Sequence, residues 1–352
     1  MSTPSHRLRV VVATPLTDEH CALLSRLEPR IDVVCEQGLL PPMRWPGDHE
    51  GDPAFRRSAD DQARFDALVD TADALYGLPD TDPESLARTI RANPGLRWVH
   101  TMAAGGGGQV KAADLTADEL ARIAFSTSAG PHSTPLAEFA LFVVLAGAKS
   151  LPRLRAQQAA REWSERWAMQ QVSEMTVLVV GMGNIGRGVA TLFAALGARV
   201  IGVNRTPLEL GPAAQVVPPE ELLAVVGQAD AIVNTLPGTA STHHMIGRDV
   251  FAAVKPGVIV ASVGRGNVID QGALVEALQD GRVGFAGLDV FSTEPLPHDD
   301  PLWAMDNVLV SPHTAALNEN EDRLIAELFA ANATRLLDAQ PLVNRVDTVH
   351  FY

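Results

Sequence analysis

Residues 177–190 read VLVVGMGNIGRGVA. Val177, Leu178, Val179 and Val180 form a short, mostly β-branched apolar run with the length of a buried parallel strand. Gly181, Gly183 and Gly186 follow at G-x-G-x-x-G spacing, and Val189, Ala190, Leu192, Phe193 and Leu196 then recur at helical spacing. In a strand–turn–helix setting each glycine has a physical reason. Gly181 permits the sharp turn, Gly183 lets backbone approach a pyrophosphate, and Gly186 lets the helix pack closely on the strand. Asn184 and Ile185 lie in the first turn of that helix, whose N-terminus offers N–H groups and partial positive charge to phosphates. A dinucleotide site is expected here; the alternative is a glycine-rich turn in an α/β domain that binds nothing.

A chain of 352 residues carries a prior of two domains. With 46% hydrophobic and 20% charged residues, its composition is that of an ordinary globular protein. No apolar run approaches the ~18–20 residues that cross a membrane, and the first residues lack the apolar stretch of a signal peptide. They read as a brief tail before a first strand, and the cytoplasm is the default compartment. A net charge of −14 argues against nucleic acid and anionic membranes as partners. The two cysteines, Cys21 and Cys35, offer neither a disulfide framework nor a metal-ligand spacing.

Before residue 100, strand patterns at 8–13, 31–35, 74–76 and 96–100 alternate with helical ones at 18–27, 65–69 and 83–91, the first opened by Thr17 as N-cap. Residues 41–59 hold prolines, glycines and many charges with little apolar periodicity, and read as a long surface loop, a plain insertion sooner than a lid or an oligomer contact. Residues 101–110 read TMAAGGGGQV. Four glycines in a row are costly to order, so the loop is either a flexible turn or a place where backbone N–H groups meet a small anion. Residues 135–148 predict an apolar buried helix, and 153–169 a more polar one with Trp163 and Trp167 as packing anchors at i, i+4.

Beyond the glycine fingerprint, strands are expected at 199–203, 231–235, 258–262, 285–289 and 308–310, giving a doubly wound sheet of about six strands. Because the fingerprint begins so late, its domain is expected to be inserted into the first. The expected division is 1–131 plus 318–352 for one domain and 132–317 for the other. At the end of the second strand of the nucleotide domain stand Asn204, Arg205 and Thr206, where an acidic residue would hold a ribose 2′-hydroxyl. Arg205 can pair with a 2′-phosphate and Thr206 can donate to it, which favours NADP(H) over NAD(H).

Three later strand ends carry chemically apt residues: Arg265 in ASVGRGNVID, Asp289 and Glu294 in GLDVFSTEPLP, and His313 in VLVSPHTAA. An arginine can clamp a carboxylate and polarise the adjacent carbonyl, a histidine can protonate a developing alkoxide, and a carboxylate can orient that histidine. Singly, each has an ordinary structural explanation. Together they are what reduction of a 2-keto acid by a nicotinamide hydride requires.

These segments, with PLAEFAL at 135–141 and NTLPGTAST at 234–242, resemble the D-isomer-specific 2-hydroxyacid dehydrogenase family over nearly the whole chain. The wording leans toward its glyoxylate/hydroxypyruvate reductases. The resemblance implies two Rossmann/flavodoxin-like doubly wound α/β domains, an active site in the cleft between them, and a homodimer. It implies that Arg265 binds the substrate carboxylate and keto oxygen, that His313 is the acid/base, and that Glu294 pairs with it. It implies that Asp289 holds the nicotinamide carboxamide and that Thr235 and Pro237 line the cofactor. Ala104, Gly105, Gly106 and Gly107 match the loop whose N–H groups take the substrate carboxylate. Two rivals share the fold: a cofactor-sensing corepressor-like protein and a dehydrogenase of an oxyanion such as phosphite. Formate dehydrogenases of the superfamily pair glutamine with the histidine, so Glu294 argues against that activity.

Overall fold

The structure, a computed structural model, describes residues 7–208 and 214–351; the short N-terminal tail lies outside them. The chain starts with β1 (Leu8–Val12), α1 (Asp18–Leu27), β2 (Ile31–Val34), α2 (Ala59–Val69), β3 (Ala74–Tyr76), α3 (Pro83–Ala92), β4 (Trp98–Thr101), α4 (Gly107–Ala112), α5 (Ala117–Arg122) and β5 (Ala124–Thr127). It continues through α6 (Ser133–Ala148), α7 (Leu151–Ala160), β6 (Thr176–Val180), α8 (Asn184–Ala195), β7 (Arg199–Val203), β8 (Ala214–Val217) and α9 (Leu222–Val226). Then come β9 (Ala231–Asn234), α10 (Arg248–Ala253), β10 (Val258–Ser262), α11 (Gln271–Gln279), β11 (Val283–Leu288), β12 (Val308–Val310) and α12 (Glu321–Leu337). Two compact units result: Met1–His132 with Leu317–Tyr352, and Ser133–Ala316.

The first unit holds a five-stranded sheet in the order β2-β1-β3-β4-β5, and the second a seven-stranded sheet in the order β12-β11-β10-β9-β6-β7-β8. Every strand pair in both is parallel. The second sheet has one strand more than the sequence suggests: β8 is a short edge strand whose apolar run is too brief to stand out. In each sheet the order in which strands are added reverses once, between β1 and β3 and between β6 and β9, which is where ligands of such sheets bind. Local signals set the helix starts. The Thr17 hydroxyl accepts the His20 N–H, Asp82 caps α3 ahead of Pro83, and Thr116 with Glu119 forms a capping box. Among the described residues no single helix is long and apolar enough to cross a membrane.

In the first unit Trp98 stacks on Phe329 of α12 at 4.3 Å, and behind them lies a polar chain. Trp98 Nε1 donates to Ser126 Oγ at 2.8 Å, Ser126 Oγ meets His100 Nδ1 at 2.8 Å, and His100 Nε2 meets Ser128 Oγ at 3.0 Å. The Ser128 hydroxyl donates to the Thr101 carbonyl at 3.0 Å, so His100 carries its proton on Nε2. Burial, with the nearby His49, pushes His100 from 6.5 down to about 3. The sign follows: the unfolded chain takes up this proton below 6.5 while the native state refuses it, so its stabilisation is complete above 6.5 and is lost as pH falls toward 3. Stability should fall by about 1.4 kcal/mol per pH unit from this group in that window. NMR titration of the His100 ring between pH 8 and 5 checks it; a ring that protonates in that range contradicts the buried neutral state.

The polar stretch 41–59 lies mostly at the surface, yet parts of it are anchored. Buried Asp48 accepts Arg44 Nε at 2.7 Å, Arg44 Nη2 at 2.9 Å and the N–H groups of Arg44 and Gly51. Gly47 N–H donates to Asp322 Oδ2 at 3.1 Å, and His49 Nε2 lies 3.5 Å from Glu321 Oε1, at the start of α12. His132 Nε2 reaches the same Glu321 oxygen at 2.9 Å. Burial works to raise the Glu321 pKa, yet the bonds from His132 and His49 bring it below its ordinary value. The Asp48 contacts are local, whereas the Gly47 N–H and His49 meet partners far along the chain that no local pattern shows.

A second correction concerns residues 153–169. The helix stops at Ala160, where Arg161 takes the left-handed conformation. Trp163 then stands wholly exposed rather than packed, while Trp167 stacks on the Arg153 guanidinium at 3.9 Å.

Candidate active site

β6 runs out into Gly181, whose φ of +102° makes the turn. The Gly181 N–H donates to the Val203 carbonyl at 3.0 Å, tying the turn to the end of β7. A Cβ on Gly186 would lie 1.9 Å from the Gly181 carbonyl oxygen, so α8 can cross β6 this closely only with glycine there. Gly183 is the N-cap of α8, with no side-chain cap, and a Cβ on it would meet nothing within 4 Å. The turn is therefore shut on its inner side and open above the helix N-terminus, with Asn184 exposed and Ile185 half-buried beside it. That shape fits a pyrophosphate held by backbone N–H groups.

At the end of β7 the Asn204 amide donates to both the carbonyl and the hydroxyl of Thr206, each at 2.9 Å. Arg205 is exposed between them. The Thr235 hydroxyl donates to the Gly181 carbonyl at 2.7 Å, bracing the glycine turn from the adjacent strand β9. Pro237 is exposed, and its carbonyl accepts the Thr242 hydroxyl at 2.6 Å.

β10, β11 and β12 are neighbours, so the loops leaving them emerge side by side. Arg265 stands exposed after β10 between two glycines that the packing requires. A Cβ on Gly264 would lie 2.4 Å from the Leu236 carbonyl oxygen, and one on Gly266 1.9 Å from that of Phe291. The loops after β9, β10 and β11 thus touch through backbone, with Arg265 raised at their junction. Phe291 N–H donates to Glu294 Oε1 at 2.9 Å, and the other oxygen, Oε2, lies 2.7 Å from His313 Nδ1. Both oxygens of Glu294 are committed, so its orientation is set, and it sets the histidine ring in turn.

His313 itself has φ +55°, a left-handed backbone that non-glycine residues seldom adopt. Asp289 holds it there. Its buried carboxylate oxygen Oδ1 accepts Ser311 Oγ at 2.6 Å, Thr314 N at 2.9 Å and Ala315 N at 3.1 Å. One oxygen of the residue expected to face the nicotinamide therefore fastens the loop on both sides of the histidine.

Ala104, Gly105, Gly106 and Gly107 lie in the first unit, after β4. Gly107 begins α4, Gly106 packs against the Thr101 side chain, and Ala104 and Gly105 are the outward part of the turn. Sequence reasoning passed over Asn234 and Ser311. Buried Asn234 donates to Ser262 Oγ at 3.1 Å and accepts the Leu236 N–H at 3.1 Å, joining the loops beside Arg265. A polar residue closing an apolar buried strand was the available signal for Asn234, while Ser311 follows a half-buried strand.

Comparison with known proteins bears on this geometry. The family model for the D-isomer specific 2-hydroxyacid dehydrogenase NAD binding domain matches residues 141–315. A glyoxylate reductase of Korarchaeum cryptofilum is 33% identical over 75% of this chain and 79% of its own length. The chain belongs to the D-isomer specific 2-hydroxyacid dehydrogenase family. It is accordingly an NAD(P)-dependent oxidoreductase of hydroxy-acid CH–OH groups. Glyoxylate/hydroxypyruvate reductase B of Yersinia pseudotuberculosis is 32% identical over 69% of this chain and 80% of that protein. Among solved structures, a family member from Xanthobacter autotrophicus Py2 in complex with NADPH and MES superposes with a TM-score of 0.76 at 29% identity, covering 98% of this chain and 100% of that one. The family's doubly wound parallel sheets are the two found here.

Proposed function

We propose that this dehydrogenase reduces a small 2-keto acid, glyoxylate or hydroxypyruvate, with NADPH in preference to NADH, and that Arg265, Glu294 and His313 are its catalytic set. The observation that carries this reading is the His313–Glu294 bond of 2.7 Å, which joins the loop after β12 to the loop after β11 that touches Arg265's own. The glyoxylate and hydroxypyruvate reductases among its relatives support the substrate class, and the NADPH-bound neighbour supports the cofactor.

The bound nicotinamide supplies the hydride. Arg265 pairs with the substrate carboxylate and polarises the keto oxygen. With Nδ1–H held by Glu294, the imidazolium of His313 presents Nε2–H and gives that proton to the forming alkoxide. In the oxidative direction neutral Nε2 takes the proton from the hydroxyl. Gly181, Gly183, Asn184, Ile185 and Gly186 take the pyrophosphate, Asn204, Arg205 and Thr206 the 2′-phosphate, Thr235 and Pro237 the adenosine side, and Asp289 the carboxamide. The Ala104–Gly105–Gly106–Gly107 turn of the first unit offers backbone N–H groups suited to a small carboxylate. The assembly is a homodimer through the nucleotide-binding unit, for which wholly exposed Trp163 and half-exposed Phe142 supply apolar surface.

Absorbance at 340 nm with glyoxylate, hydroxypyruvate, pyruvate and a branched 2-keto acid, each with NADPH and NADH, tests the reading. Turnover with NADPH well above NADH is expected, with glyoxylate and hydroxypyruvate ahead. Arg205→Ala should raise KM for NADPH about 10–100-fold and leave NADH nearly unchanged, as loss of a charge-assisted phosphate contact requires. Equal use of both cofactors would overturn the NADPH assignment. No turnover with any of the acids, despite tight dinucleotide binding, would overturn the reductase.

A further inference from the structure

β9 lies between β6 and β10 in the second sheet, so its tip borders both the glycine turn and the loop that carries Arg265. Two successive residues there serve the two neighbours. Thr235 turns toward β6: its N–H donates to the Val180 carbonyl at 3.0 Å and its hydroxyl to the Gly181 carbonyl at 2.7 Å. Asn234 turns toward β10. Its own carbonyl accepts the Val263 N–H at 3.0 Å, and its side chain is wholly buried beneath the exposed Arg265 loop.

The Asn234 side chain holds two loops at once. Oδ1 accepts the Leu236 N–H at 3.1 Å, while Nδ2 donates to Ser262 Oγ at 3.1 Å and to the Arg265 carbonyl at 3.4 Å. An N–H only donates and a carbonyl only accepts, so Leu236 and Arg265 fix which way the amide faces. Leu236 is also the residue whose backbone Gly264 packs against, so Asn234 grips both sides of that contact. The guanidinium follows the backbone it stands on, because Arg265 Nη1 donates to the Gly264 carbonyl at 2.9 Å. A buried asparagine at a strand end ordinarily satisfies nearby backbone and does no more. Here one of its donors ends on the backbone of the arginine assigned to the substrate.

We propose that Asn234 is a positioning residue of the reaction, which sets Arg265 for the substrate while its neighbour Thr235 serves the cofactor turn. The proposal rests on the reading of Arg265 as the substrate-binding arginine. Aspartate at position 234 keeps the size of the side chain and still accepts the Leu236 N–H. It sets an oxygen against the Arg265 carbonyl oxygen, and two acceptors repel where a donor and an acceptor attracted. The loop then shifts and carries the guanidinium with it. A misplacement of about 1 Å at a reacting centre costs about 10²-fold in rate, so Asn234→Asp is expected to lower kcat/KM for the keto acid by about 10–100-fold. NADPH affinity should be unchanged, because the Thr235 side of the strand tip is untouched.

Rates at 340 nm with the best substrate of the keto-acid panel, and a fluorescence titration with NADPH, test this in the full-length protein. The variants are Asn234→Asp, Asn234→Ala, Arg265→Ala and the double variant Asn234→Asp with Arg265→Ala. Both single Asn234 variants should lose kcat/KM for the keto acid and keep NADPH affinity, whereas Thr235→Val should weaken NADPH instead. In the Arg265→Ala background, Asn234→Asp should change the remaining rate by less than about threefold, since a residue that acts through the guanidinium has nothing left to position. A merely structural residue would lower the rate by the same factor in both backgrounds. Far-UV circular dichroism and Tm report the fold, and Asn234→Ala carries the test if the buried carboxylate of the aspartate variant unfolds the chain. Wild-type keto-acid kinetics in the Asn234 variants beside an inactive Arg265→Ala, or equal losses in the two backgrounds, would overturn the positioning role alone. Full activity of Arg265→Ala would overturn the reading of the arginine, and this proposal with it.

Discussion

Replacing His313 with asparagine is expected to lower kcat for keto-acid reduction by about 10²–10⁴-fold while leaving dinucleotide affinity unchanged. Asparagine is the informative substitution because the backbone at this position has φ +55°, which asparagine tolerates better than most residues. Its amide can also keep a hydrogen bond to Glu294, so the loop that Asp289 fastens should hold its shape. What it cannot do is exchange a proton with the substrate oxygen near neutral pH. Steady-state rates at 340 nm and a fluorescence titration with NADPH separate the two effects. A kcat within about tenfold of wild type would remove His313 from the acid/base role; lost cofactor binding would mean the loop itself had moved.

Arg265→Ala is expected to lower kcat/KM by about 10³-fold or more. The guanidinium is asked both to bind the carboxylate and to stabilise charge growing on the keto oxygen, so the loss should appear in KM and kcat together. Truncation should cost the fold little. Arg265 is exposed, and the loop geometry rests on Gly264, Gly266 and the Asn234 side chain rather than on the arginine. Arg265→Lys should recover only part of the rate, since an ammonium lacks the planar fork. Near-wild-type activity of the alanine variant, measured with the best substrate of the keto-acid panel, would sink the assignment.

Where signals are local, sequence and structure agree. Thr17 caps α1 as its spacing from the first apolar positions suggests, and the three glycines after β6 sit in the turn and helix start that their spacing demands. Legibility ends where a residue's partner is remote. Trp163 and Trp167 were four residues apart in a pattern that could be helical, yet the helix ends before both. The anchoring of Gly47 and His49 was hidden because Glu321 and Asp322, which receive them, stand at the opposite end of the first unit's chain.

The sequence by itself determined the dinucleotide turn and the chemical kinds available at later strand ends. Both depend on short-range sterics: a sharp turn, a close helix crossing, and one polar side chain at the end of each apolar strand. Tertiary structure alone decided that Glu294 Oε2 lies 2.7 Å from His313 Nδ1, that Asp289 secures the histidine loop, and that backbone contacts between three loops require glycine on each side of Arg265. Those contacts join residues from different strands. They depend on strand order and register, which are properties of the assembled sheet and are written in no single stretch of the chain.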